Sequence, residues 1–133
     1  AGVLADRLLQ GLSASHVASP FQPKAVGAAH LHGATAPACV QALVLFSSIA
    51  SAVGNAGQAN YAAANACLDA LALCRGADGL VASSLQLPLV GGAGMGAAAF
   101  DERQMRYRGM AAISLEQYAA CLGSALARVV GVV

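Results

Sequence analysis

The chain has 133 residues, of which 58% are apolar and only 10% are charged. This length is sufficient for one domain with its own core, but soluble domains usually carry about 25% charged residues, so we expect much of the surface to be covered by a partner. The net charge of +1, with no basic run, argues against nucleic acid and anionic membranes as partners.

The first part of the chain predicts two helices. Residues 4–12 carry apolar side chains at helical spacing, and the serines that follow are suited to capping the next segment. The second helix covers residues 19–35; it begins near Pro20 or Pro23 and ends near Gly33.

The middle of the chain alternates between strands and helices. Residues 41–48 form a nearly continuous apolar run, which predicts a strand buried on both faces. A loop with glycine and asparagine follows at 49–60, and an alanine-rich helix over 58–75 is closed by Gly76. Residues 79–87 predict a second buried strand.

The last part begins with a glycine-rich segment, residues 88–100, which we expect to be mobile. An amphipathic helix opens at Ser114, with Glu116 and Gln117 in its first turn. A last strand is predicted over 129–133. This alternation predicts an α/β protein with a parallel sheet.

Two other classes of site are disfavoured. The cysteines form no C-x-x-C pair and have no histidine at ligand spacing, so we predict no metal site and expect buried free thiols of a cytoplasmic protein. Residues 38–54 are the most apolar stretch, but they contain glutamine, serine and glycine, and so do not predict a membrane span.

Polar side chains stand out at the end of the first strand and on the helix after it. Ser47 and Ser48 lie at the carboxyl end of the strand, where open α/β sheets bind ligands. Tyr61 follows Ser48 by 13 residues, and Asn65 lies four residues further on, on the same face of the helix. Taken alone, Tyr61 and Asn65 are more often a capping or packing pair.

These residues resemble the active site of the ketoreductase domains of modular polyketide synthases, which belong to the short-chain dehydrogenase/reductase superfamily. Most superfamily members carry lysine four residues after the tyrosine, but these ketoreductases carry asparagine there. Their lysine lies on the preceding helix, 24 residues before the serine, which is the position of Lys24. The stretch LFSSIASAVGNAGQANYAAANACLDAL resembles the family throughout.

The resemblance implies the fold and the domain. The fold would be the C-terminal part of a Rossmann-like parallel sheet flanked by helices, an incomplete short-chain dehydrogenase/reductase fold with an open sheet edge. Residues 1–133 would form a partial ketoreductase domain, since the family's glycine-rich cofactor turn lies upstream of the stretch that this chain resembles. We therefore expect the rest of the domain and neighbouring synthase domains to be partners that the chain needs to bind cofactor.

The resemblance also implies a reaction: NADPH-dependent reduction of a β-ketoacyl thioester on an acyl carrier protein to the β-hydroxyacyl thioester. Tyr61 would donate the proton, and Ser48 would hydrogen-bond the carbonyl oxygen. A free phenol has a pKa of about 10, so Lys24 would supply the cation that favours the phenolate. Asn65 would help to place Lys24.

Further residues are assigned by the same resemblance. Those expected at the cofactor are Tyr61, Lys24, Ser47 and Pro88. Those expected to orient the substrate and set product stereochemistry are Asp6, Val53, Gln58 and Met95. Asp6 matches the last residue of an L-D-D pattern, and Val53 replaces the tryptophan of the other class, which favours the D-configured alcohol.

Departures from the family leave alternatives open. The family's W-G-x-W pattern has no counterpart in residues 84–92, because the chain contains no tryptophan. The stretch GAGMGA at 92–97 formally matches a dinucleotide-binding fingerprint, but we interpret it as a lid hinge. The chain could instead be a non-catalytic structural half-domain within a synthase, or a free-standing reductase of small carbonyl compounds.

Overall fold

The computed structural model of the chain describes residues 2–91 and 111–130, apart from the side chains of 128–130. The chain divides into two compact units, Ala1–Gln86 and Leu87–Val133. Within the described residues, no helix combines the length and hydropathy needed to cross a bilayer.

The first unit begins with little regular structure. The helix predicted over residues 4–12 is wrong, since only Leu9–Gly11 forms a 3-10 turn. The physical reason is that this segment bonds to residues about fifty positions further along the chain instead of to itself. The Arg7 N–H donates to the carbonyl oxygen of Gly57 at 2.8 Å, and the Ala5 carbonyl oxygen accepts from the side chain of Asn60 at 2.9 Å.

A continuous helical run follows, from residue 14 to residue 35. It consists of α1 (Ala14–Phe21), a π-helical segment (Gln22–Val26) and α2 (Gly27–Thr35). The run begins earlier than predicted because Ser13 caps it: the Ser13 hydroxyl accepts from the backbone of His16 at 3.4 Å. The expected serine cap is therefore confirmed.

Prolines explain the π-helical segment. Pro20 has no N–H to donate to His16, and the freed His16 carbonyl oxygen accepts from Asn60 Nδ2 at 2.7 Å. Further along, the Gly27 N–H reaches back five residues to the carbonyl oxygen of Gln22, which is the π pattern. The segment therefore lets the helical run pass two prolines while remaining helical.

The two strands lie beside this helical run. Strand β1 (Val44–Ser48) pairs with β2 (Ser83–Leu87) in a two-stranded parallel sheet. Several predictions are corrected here. Strand β1 begins at residue 44 instead of 41, and β2 begins at 83 instead of 79 and is only partly buried. A short helix, α3 (Ala50–Val53), lies within the predicted loop. Helix α4 (Ala59–Ala77) matches the predicted alanine-rich helix, except that it is not closed by Gly76: the helix passes Gly76 and its C-cap is Asp78.

The core of the first unit lies between α2, β1 and α4. It is formed by buried apolar residues with partly buried neighbours: Ala28, Leu45, Leu68, Leu43, Leu71 and Ala72. The expectation that β1 is buried on both faces is wrong, since Phe46 is 44% exposed. Successive strand residues face opposite sides of the sheet, and only the side of β1 that carries Leu45 and Ser47 is buried.

The second unit contains one described helix, α5 (Leu115–Val130). Its predicted cap is confirmed, because Ser114 and Gln117 bond reciprocally at 2.8 and 3.2 Å. Val90 and Ile113 form an isolated parallel bridge. Residues 129 and 130, predicted as strand, belong to this helix, and 131–133 lie outside the described residues, as do 92–110.

The cysteines differ from expectation in one respect. All four are free, but all are exposed, so the expectation of buried thiols is wrong: Cys39, Cys67, Cys74 and Cys121. On α4 the buried positions are taken by other side chains, and Cys67 and Cys74, seven residues apart, share an outward face. The described part of the chain contains no group of three or more potential metal ligands.

Candidate active site

The π-helical segment directs Lys24 into the first unit. Only 9% of the Lys24 surface is exposed, and its Nζ donates to the carbonyl oxygen of Phe46 in β1 at 3.0 Å. Burial lowers the pKa of Lys24, while the negative charge of Asp69 opposes that shift. Lys24 is thus an ammonium group held against a strand, with little water around it.

Tyr61, near the start of α4, lies next to this ammonium group. Lys24 Nζ is 5.6 Å from the centroid of the Tyr61 ring, which is a cation–π distance. The structure therefore brings together two residues that the sequence predicted as partners. They reach each other from separate elements, the π-helical segment and α4, across the end of β1.

Asn65 lies one turn further along α4 and is completely buried. Its Nδ2 donates to the carbonyl oxygen of Tyr61 at 2.9 Å, and its own backbone carbonyl oxygen accepts from Ser47 Oγ at 3.3 Å. Asn65 Oδ1 is buried and has no hydrogen-bond partner. The Asn65 amide thus donates to the backbone of Tyr61, and its Oδ1 remains as an unpaired acceptor.

Ser48 ends β1, as predicted, and α3 holds it there. Its Oγ accepts from the Ala50 N–H at 3.2 Å, and its carbonyl oxygen accepts from Ser51 Oγ at 2.8 Å. Among the described contacts, none joins Ser48 directly to Lys24 or Tyr61. Because its Oγ acts as an acceptor, the hydroxyl proton of Ser48 remains available for donation.

The sequence interpretation missed a carboxylate next to these residues. Asp69 Oδ2 accepts from Ser51 Oγ at 2.6 Å and from Gln86 Nε2 at 2.9 Å. Asp69 Oδ1 accepts from Ser84 Oγ at 2.6 Å. Burial would raise the pKa of Asp69, but the hydrogen bonds outweigh it and hold the pKa below its usual value.

The sequence did contain a signal for this carboxylate. Asp69 is the only acidic residue between Asp6 and Asp78, and it lies one helical turn after Asn65. A lone charge on an apolar helix needs partners. Its partners could not be named from the sequence, because they come from α3 and β2.

Two of the predicted stereochemistry residues meet in the structure. Gln58 is 3% exposed, and its Nε2 donates to Asp6 Oδ2 at 2.9 Å. Asn55 Nδ2 donates to Gln58 Oε1 at 3.1 Å. The contact joins the irregular first residues of the chain to the loop before α4, and the roles of Asp6 and Gln58 stay predictions.

The remaining predicted residues are more scattered. Val53 ends α3 and is 64% exposed. Ser47 is buried and donates to α4, as described above. Pro88 belongs to the second unit, and Met95 lies outside the described residues, together with the GAGMGA stretch.

The family model described as "KR domain" matches residues 1–92 of the chain. The chain belongs to the KR-domain family. Among curated proteins, it is 45% identical over 130 residues to the spectinabilin polyketide synthase system protein NorB of Streptomyces orinoci, covering 96% of this chain and 6% of that protein. It is 40% identical over 119 residues to the mycoketide-CoA synthase of Mycobacterium tuberculosis, covering 90% of this chain and 3% of that protein.

Solved structures agree with this assignment. The first ketoreductase of the tylosin polyketide synthase is 40% identical with a TM-score of 0.80, over 96% of this chain and 28% of that one. An A-type ketoreductase from a modular polyketide synthase is 37% identical with a TM-score of 0.88, over 97% of this chain and 27% of that one. The resemblance to ketoreductase domains and the α/β fold are confirmed, and the KR-domain chain spans less than a third of these structures.

Proposed function

We propose that this KR-domain chain carries the catalytic residues for NADPH-dependent reduction of a β-ketoacyl thioester to the β-hydroxyacyl thioester within a polyketide synthase. The observation that supports this most directly is the contact between the buried Lys24 ammonium and the Tyr61 ring, at 5.6 Å. Membership of the KR-domain family and similarity to solved ketoreductases support it independently.

The proposed chemistry assigns a proton to Tyr61 and a charge to Lys24. Reduction of a ketone adds a hydride to carbon and a proton to oxygen, and the Tyr61 hydroxyl donates that proton. The phenolate left behind is stabilised by the neighbouring ammonium group. Ser48 donates a hydrogen bond from its hydroxyl group to the carbonyl oxygen as negative charge develops there, and it keeps its proton.

The residues present fit the nicotinamide end of a dinucleotide. An ammonium group has three N–H donors, and the Phe46 carbonyl oxygen takes one of those on Lys24. The other two, together with the Tyr61 hydroxyl, would hold the ribose hydroxyls on the nicotinamide side. When bound, the cofactor would supply the hydride, which carries both electrons of the reduction. Ser47 and Pro88 are proposed as further contacts of this cofactor.

The partners are proposed from the relatives. The proteins that the chain matches are polyketide synthases of which it covers a few per cent, so we propose that the substrate arrives on an acyl carrier protein. We propose that the rest of a ketoreductase domain completes the cofactor site. Asp6, Gln58, Val53 and Met95 would orient the bound substrate.

A chimeric enzyme tests this function. The matching segment of the tylosin ketoreductase is replaced by this chain, and loss of NADPH absorbance is followed with a β-ketoacyl N-acetylcysteamine thioester. We expect turnover that Tyr61→Phe reduces by about 10³-fold, while the matched variant Tyr118→Phe leaves it unchanged. NADH in place of NADPH tests the choice of cofactor.

Two results would contradict the proposal. Turnover that survives Tyr61→Phe would show that Tyr61 is not the proton donor. A chimera that folds and binds NADPH but does not reduce the thioester, while the parent enzyme does, would favour a structural half-domain.

A further inference from the structure

Asp69 gathers side chains from three elements beside the candidate site. Ser51 belongs to α3, Ser84 and Gln86 belong to β2, and Asp69 itself lies on α4. Both hydroxyl contacts measure 2.6 Å, which is the short range expected when an ionised carboxylate accepts from a hydroxyl group. These short distances indicate that Asp69 is ionised and that its negative charge strengthens both hydrogen bonds.

The first connection from this carboxylate runs to Ser48. Ser51 Oγ lies 2.6 Å from Asp69 Oδ2 and 2.8 Å from the Ser48 carbonyl oxygen. Gln86 Nε2 also donates to Ser51 Oγ, at 3.1 Å. Ser51 Oγ is therefore fixed between the carboxylate and the turn that ends β1. The Ser51 hydroxyl has one proton, for which Asp69 Oδ2 and the Ser48 carbonyl oxygen compete, so loss of the Asp69 charge would redistribute this hydrogen bond and change how Ser51 holds the backbone of Ser48.

The second connection runs to Lys24 and is electrostatic. The direct contacts of Lys24 are the Phe46 carbonyl oxygen and the Tyr61 ring, and neither carries a full negative charge. Asp69 supplies one, and it favours the ammonium form of Lys24 against the effect of burial. Tyr61 and Asp69, both on α4, are the titratable groups that act on Lys24 in the described contacts.

We propose that Asp69 is a positioning residue of the ketoreductase site: it fixes the turn at Ser48 through Ser51 and balances the buried charge of Lys24. This inference rests on the proposed function. Asp69 does not touch the reacting atoms. It acts on Ser48 through Ser51, and on Tyr61 through the charge of Lys24.

The sequence offers a direct probe, because Lys24 is the only lysine in the chain. With lysine carrying ¹³C at Cε, the full 133-residue chain gives a single side-chain signal, whose titration reports Lys24. We expect Asp69→Asn, which removes the charge but keeps one acceptor oxygen, to move this titration to lower pH. Asp78→Asn removes the same charge from the exposed end of α4 and is expected to leave the titration unchanged.

Kinetics of the chimera test the connection to Ser48. We expect Asp69→Asn to lower kcat by about tenfold, with a smaller change in KM, and to shift the pH–rate profile in the same direction as the Lys24 titration. Ser51→Ala breaks the hydrogen-bonded connection but keeps the charge, so it is expected to lower kcat without moving the Lys24 titration.

The outcomes separate this inference from the proposed function. If Tyr61→Phe abolishes turnover but Asp69→Asn changes neither the titration nor kcat, the inference is overturned and the function stands. If Tyr61→Phe leaves turnover intact, the function fails, while the NMR titration still tests the link between Asp69 and Lys24. Should Asp69→Asn not fold, Ser51→Ala decides: an unchanged kcat overturns the positioning role.

Discussion

Two buried cations differ in what surrounds them: Lys24 lies beside α4, and Arg75 belongs to α4. Lys24 lies beside an aromatic ring and close to a carboxylate cluster, whereas unused N–H donors are common to both cations, since Arg75 Nη2 has no hydrogen-bond partner. Arg75 is completely buried, and its guanidinium contacts the Val81 carbonyl oxygen at 3.4 Å and Thr35 Oγ1 at 3.2 Å. Burial of a cation is common to both, so burial alone does not identify a candidate catalytic residue.

The chemistry of the two groups explains the difference. A guanidinium stays protonated and has only donors, so the 3.0 Å contact of Arg75 Nη1 with His32 Nδ1 makes the histidine the acceptor. Arg75 therefore clamps the end of α2 to the residues after α4. Lys24 has a pKa that its surroundings can move, and its neighbour Tyr61 is a group that can exchange a proton. Arg75 therefore stabilises the fold, whereas the surroundings of Lys24 fit its proposed catalytic role.

Removal of the Lys24 charge is the strongest test of the contrast between a catalytic Lys24 and a structural Arg75. We expect Lys24→Met in the chimera to lower kcat by about 10³-fold, because the Tyr61 phenolate loses its stabilising cation. The free energy of unfolding of the 133-residue chain should not fall, since a desolvated charge is replaced by an apolar side chain. A variant that keeps its activity but unfolds easily would make Lys24 a structural residue like Arg75.

The converse change tests Arg75. Arg75→Ala is expected to lower the free energy of unfolding by about 3 kcal/mol, because it leaves a cavity and strands the acceptors on Val81 and His32. Arg75→Lys should restore little, since an ammonium cannot reproduce the planar fork. Urea unfolding measures both variants. An unchanged free energy of unfolding in Arg75→Ala would contradict the structural role of Arg75.

The smallest effect is expected in the pH dependence of stability. The pKa of Lys24 is lowered by burial from its ordinary value of 10.5, so between these two pKa values the folded chain binds fewer protons than the unfolded chain. Stability should therefore rise with pH in that window relative to Lys24→Met, which has no such group. The stability difference caused by Arg75→Ala should stay constant there, because arginine does not titrate. Urea unfolding at several alkaline pH values would show a flat Lys24 difference if the inferred burial is wrong.

The sequence predicted those features that depend on local patterns. Helix α4 and the cap at Ser114 follow from residues within a few positions of each other. The pairing of Lys24 with Tyr61 was predicted only through family resemblance, and the structure brings the two residues together. Their catalytic roles stay predictions.

What the sequence missed depends on distant contacts. The Asp69 cluster could not be predicted because its hydroxyl partners, Ser51 and Ser84, come from separate elements. Residues 4–12 have helical spacing, yet their backbone bonds to a loop some fifty residues away outweigh a weak local preference. Phe46 looks like a core residue in sequence but lies on the exposed face of β1.

The π-helical segment has one more consequence, which concerns helical phase. Pro20, Lys24 and Ala28 are all buried and are spaced four residues apart. In a regular α-helix such a spacing drifts around the axis by about 40° per step, because each turn takes 3.6 residues. The wider π turn absorbs this drift. Deletion of one residue between Lys24 and Ala28 would rotate α2 by about 100° relative to Lys24, so the core and the buried lysine depend on the same extra residue.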